Sequence, residues 1–88
     1  MTLAETVLDI LAEVAETDAV RFDPQLELYA ARVLDSLQTV ELIVRLSDAF
    51  DLEISPAEFD RSEWATPARI IEDMTRRVAS AGTGRSNR

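Results

Sequence analysis

The best-placed chemical group in this sequence is a hydroxyl at the mouth of a helix. Asp35-Ser36-Leu37-Gln38 reads as a helix start, with Asp35 or Ser36 as the cap and Gln38 three residues beyond Asp35. Ser36 there is either a plain cap or a modification site. An anion attached at that position faces unpaired backbone N–H groups and the positive end of the helix dipole. Ser36 has no partner set for nucleophilic catalysis. The chain has no His and no Cys, which excludes Ser-His-Asp and Cys-His machinery, Cys/His zinc sites, disulfides and thiol redox work. Any thiol chemistry must be imported. The chain lacks plausible acid–base residues beyond carboxylates, so no enzymatic activity is expected, and Asp35, Glu41 and Asp48 could hold a Mg²⁺ only weakly, without the ligand spacing of a dedicated site. The two glycines, Gly82 and Gly84, lie near the C-terminus, so no Gly-rich phosphate cradle precedes a helix.

The elements that must position Ser36 follow from periodicity. Thr2-Leu3-Ala4-Glu5 has the form of a capping box, with the Glu5 carboxylate reaching back to the Thr2 amide. Leu3, Val7, Ile10, Leu11 and Val14 then make one apolar stripe, which predicts a first helix of about four turns. From Thr17 to about Leu34 the period is lost. This long connection is expected to cross the core, pinned by Leu26, Leu28 and Leu34, with at most a short helical turn. The second main helix runs from Asp35 or Ser36 to about Phe50. Thr39, Leu42, Ile43, Leu46 and Phe50 form its core face, and Gln38, Glu41, Arg45 and Asp48 its solvated face. Leu37, Val40 and Val44 form a third stripe, readable either as peripheral core or as a docking face. Ser55-Pro56-Ala57-Glu58 opens a short third helix, and Thr66-Pro67 a fourth whose buried stripe is Ile70, Ile71, Met74 and Val78. The pattern predicts an all-α fold: a small bundle of four helices, three main and one short, with a long loop between helices one and two. The domain is expected to span residues 1–79, followed by a frayed tail over 80–88.

Eighty-eight residues allow one small domain and little room for a deep pocket. Residues 1–75 carry all seventeen acids and five Arg, and residues 76–88 carry four Arg, for a net charge of −8. An acidic body repels phosphate backbones and suits basic protein surfaces, so no nucleic-acid partner is expected. No apolar run approaches the ~20 residues of a membrane span, and the N-terminus lacks a signal-peptide pattern, which predicts a cytoplasmic, monomeric protein. Arg without Lys, together with abundant Ala, suggests a GC-rich genome.

Leu34-Asp35-Ser36-Leu37, followed by Thr39-Val40-Glu41-Leu42, resembles the attachment motif of acyl carrier proteins. The likeness extends over about residues 3–79. It implies that Ser36, with Asp35 beside it, carries a covalent 4′-phosphopantetheine arm taken from coenzyme A, whose terminal thiol is the imported one. The stretch from Glu58 through Trp64 to Pro67, running into Arg69-Ile70, is similar to the third-helix region of D-alanyl carrier proteins. In its plain structural reading, Phe59 and Trp64 are core, and Asp60, Arg61 and Glu63 make local salt bridges. D-alanyl carriers usually have a Gly shortly before Leu-Asp-Ser. Here that stretch is Tyr29-Ala30-Ala31-Arg32-Val33-Leu34, so the loop is expected to differ locally and to present an Arg beside the site.

The resemblance implies a freestanding acyl or aminoacyl carrier, not an enzyme. A phosphopantetheinyl transferase would install the arm, an ATP-dependent ligase would load it, and an acyltransferase or synthase would collect the thioester. The setting is polyketide or nonribosomal natural-product (antibiotic) assembly, which suits the composition, or D-alanylation of teichoic acid. Partners would dock on Leu37, Val40 and Val44 with Asp35, Glu41 and Asp48 as an acidic rim. Arg45 interrupts that rim, either selecting partners or pairing with Glu41. The competing reading is an unmodified helical adaptor that binds a basic protein.

Overall fold

The structure, a computed structural model, describes residues 2–54 and 61–85. In chain order it has helix α1 (Leu3–Ala15), a short helix α2 (Ala19–Phe22), helix α3 (Ser36–Phe50), a 3₁₀ turn (Arg61–Trp64) and helix α4 (Pro67–Arg85). This is the all-helical bundle expected, and it contains no strand among the described residues. The Ser55-Pro56 start signal and Phe59 lie outside the described residues.

The three main helices bury the predicted stripes. Val7, Leu11 and Val14 of α1 meet Leu42, Ile43 and Leu46 of α3 and Ile70 and Met74 of α4 in one core, closed by Trp64 from the 3₁₀ turn. Each fully buried aliphatic or aromatic side chain contributes about 1.5–3 kcal/mol of transfer free energy. The long connection is held by the same means, since Leu28 and Leu34 are buried and Leu26 packs against them, as expected. Two backbone bonds stitch it to the start of α4: the Leu28 amide donates to the Ala65 carbonyl (2.8 Å) and the Ala68 amide to the Pro24 carbonyl (3.0 Å). Arg21 of α2 binds Asp9 of α1 (2.6 Å) and Asp18 (3.1 Å), and these hydrogen bonds raise its already high pKa.

Three expectations are corrected. Thr2 does cap α1, accepting from the Glu5 amide (3.1 Å), but the Glu5 carboxylate takes the Thr2 hydroxyl (3.1 Å), not the Thr2 amide. Gln38 is half-buried, not solvated, because it turns inward to bind α1. The pattern change at Ala79 does not end the last helix, which runs to Arg85 where a frayed tail was expected. Within α4, the Asp73 side chain is only 5% exposed. Its carboxylate accepts from Trp64 Nε1 (2.7 Å) and Arg77 Nε (2.8 Å), with Arg76 at 3.2 Å, so the indole N–H is satisfied and the 3₁₀ turn is fastened to α4.

Among the described residues, three that are not glycine, Glu16, Arg32 and Asp51, have left-handed backbones. Each closes a helical turn. The Thr17 amide reaches back to Ala12, Val33 to Leu28 and Leu52 to Ser47, each five residues back, the hydrogen-bond pattern that ends helices at a left-handed residue. Glycine normally fills that position, and this chain has glycine only at 82 and 84.

Candidate functional site

Asp35 resolves the cap at the mouth of α3. Its backbone is extended, its side chain accepts from the Gln38 amide (2.8 Å), and its own amide donates to Gln38 Oε1 (3.0 Å), so the box is reciprocal. Ser36 is therefore the first helical residue rather than the cap. That leaves its hydroxyl out of the capping role, and the residue is exposed.

Three contacts hold this helix start in place. Gln38 Nε2 donates to the Val14 carbonyl at the end of α1 (3.1 Å), satisfying an acceptor that the helix leaves without an intrahelical donor. Thr39, buried on the core face as expected, donates its hydroxyl to the Asp35 carbonyl (2.8 Å). A hydroxyl has one proton, so the Tyr29 phenol, 2.8 Å from Thr39 Oγ1, is the donor in that pair. The long loop and α1 thus converge on Gln38 and Thr39, in the first turn of α3 just after Ser36. Sequence spacing found Asp35, Ser36 and Gln38. It gave no signal for the Tyr29–Thr39 bond or for the Val14 carbonyl, which depend on how the loop and α1 pack.

Beside Ser36 lies a surface concavity of about 430 Å³ lined by Tyr29, Arg32, Leu34, Asp35, Ser36 and Gln38. Arg32 reaches it from its left-handed position (φ 61°), so the Arg expected near the site is there. The stripe of Leu37, Val40 and Val44 faces solvent, at 78%, 46% and 53% exposure, and is not peripheral core. Glu41 and Asp48 are exposed beside it. Arg45 pairs with Glu41 (3.0 Å) as the spacing suggested, and also with Glu13 of α1 (2.9 Å). Being exposed, these pairs contribute little stability.

Chemically, the site offers an exposed serine at a hydrogen-bonded helix start, a concavity next to it and an apolar strip one turn along. Among the described residues no cluster of carboxylates is arranged to hold a metal, and no helix is long and apolar enough to cross a membrane. An exposed serine at the positive end of a helix fits a group joined through a phosphodiester, whose charge the first-turn amides and the dipole favour.

The model of the phosphopantetheine attachment site family matches residues 5–73, well over half of the chain and the whole of the site just described. The chain belongs to that family: it is a carrier domain for a covalent 4′-phosphopantetheine group.

Proposed function

We propose that Ser36 is the tether, and that the protein carries an activated amino acid or acyl group as a thioester from an ATP-dependent ligase to an acyltransferase or synthase. The observation that supports this most is the division of labour at the mouth of α3. Asp35 takes the cap, and the adjacent Ser36 is an exposed residue at the first helical position, inside the matched family region. The phosphopantetheinyl transferase and later enzymes would dock on Leu37, Val40 and Val44, against a complementary apolar groove with a basic rim facing Asp35, Glu41 and Asp48. Arg45, tied to Glu41 and Glu13, would bias which partners fit that rim. Such a strip is small, which suits a carrier that must bind several enzymes in turn and release each one.

Two settings agree with the sequence: natural-product assembly and D-alanylation of teichoic acid. The GC-rich character favours the first, and the likeness around Trp64 the second.

The test is intact-mass analysis of the apo protein incubated with coenzyme A and a broad-specificity transferase. Wild type should gain one arm and Ser36→Ala none. A gain that persists in Ser36→Ala moves the tether elsewhere, and no gain in wild type leaves the unmodified adaptor. Mass analysis of the protein from its own host would then show the cargo: D-alanine on the arm selects the cell-wall setting, any other group the assembly setting.

A further inference from the structure

We propose that Arg32 is a positioning residue for the arm, its guanidinium holding the phosphodiester that joins the arm to Ser36. This rests on Ser36 being the tether. The body of the chain is strongly acidic, and most of its arginines with described side chains are engaged: Arg21 with Asp9 and Asp18, Arg45 with Glu13 and Glu41, Arg76 and Arg77 with Asp73. Arg32 and Arg69 form no ion pair with any described residue, and of these two only Arg32 lines the concavity beside Ser36. It is the single cation there among the described residues.

The concavity already holds the Asp35 carboxylate, which the helix cap requires. A phosphodiester on Ser36 places a second negative charge beside it, and like charges that close repel. A guanidinium offsets both, and its planar fork matches two phosphate oxygens at once. The phosphodiester is also the one part of the arm whose position is fixed, being bonded to Ser36 Oγ, whereas a cargo at the thiol end is many rotatable bonds away. The turn that closes at Arg32 sets the direction: the Arg32 amide donates to Tyr29 (3.1 Å) and the Val33 amide to Leu28 (2.8 Å), and Tyr29 and Leu34 of the same turn line the concavity.

The experiment uses holo protein, with arm attachment at Ser36 first established by mass. ³¹P NMR of wild type, Arg32→Gln, Arg32→Lys and Arg32→Gly is recorded at low and high salt, along with the thermal midpoints of the apo and holo forms. The wild-type phosphodiester resonance is expected to differ from that of Arg32→Gln and to move toward it as salt rises, with Arg32→Lys in between. The gain in midpoint on attaching the arm is expected to be larger in wild type than in Arg32→Gln, and the excess to vanish at high salt. Arg32→Gly keeps the turn, so a lost ³¹P response there reports the missing guanidinium and not unfolding. Identical resonances and identical apo-to-holo gains in wild type and Arg32→Gln overturn the proposal while leaving the tether in place. An arm that fails to attach, or that attaches to Ser36→Ala, defeats the tether reading and this proposal with it.

Discussion

Replacing Arg32 by glycine should stabilise the apo protein, which is an unusual direction for a substitution that deletes a whole side chain. Arg32 has φ 61°. An L-residue with a Cβ held there costs about 1–2 kcal/mol relative to the right-handed region. Glycine removes that cost but gives up about 0.5–1 kcal/mol through its freer unfolded chain, leaving a net gain of about 0.5–1 kcal/mol. Arg32→Ala is the control: it removes the same charge and keeps the Cβ, so it should stay within about 0.5 kcal/mol of wild type, as exposed substitutions do. The quantity to read is the difference between Gly and Ala, in which the charge effect cancels. It is measured by urea unfolding with the slope unchanged between variants, or as a rise in melting midpoint of about 2–8 °C for a domain of this size. Should Arg32→Gly prove no more stable than Arg32→Ala, the left-handed turn is not strained at this residue.

Other outcomes follow from the same geometry. Asp73→Asn keeps the shape but presents an amide N–H₂ to Trp64 Nε1 or Arg77 Nε; because Arg76 and Arg77 can turn to water, the loss in chemical denaturation should be about 1–3 kcal/mol, below that of a fully buried pair. Asp35→Ala should cost about 1 kcal/mol through the lost cap and Asp35→Asn much less, so a drop in arm attachment with Asp35→Asn would report the charge rather than the helix start. Tyr29→Phe removes the phenol that donates to Thr39 and should cost about 0.5–1.5 kcal/mol by thermal or urea unfolding. Val40→Ser and Val44→Ser, at exposed positions, should leave stability within about 0.5 kcal/mol while slowing the transferase, and an equal slowing of every other surface variant would remove the docking strip.

Local rules carried much of this fold and site into view before any coordinates. The Thr2 and Asp35 start signals gave the beginnings of α1 and α3, and the apolar stripes gave the core faces that pack together. The Asp35-Ser36-Leu37 motif within its helical context marked the candidate tether. These features depend on residues three or four apart, so the sequence contains them directly. Other features depend on residues brought together from distant parts of the chain. Gln38 looked solvated by helical phase, yet the end of α1 lies beside it and offers a carbonyl with no intrahelical donor. No local pattern marks Asp73 as a buried partner; the 3₁₀ turn places the Trp64 indole against it. The leftover strip of Leu37, Val40 and Val44 was legible as a strip, but whether another element covered it was a question only packing could answer. The three left-handed closures escaped the usual turn signal because the chain uses Glu, Arg and Asp where glycine would announce them, and there the backbone is held by hydrogen bonds to residues several positions back and by the core beneath.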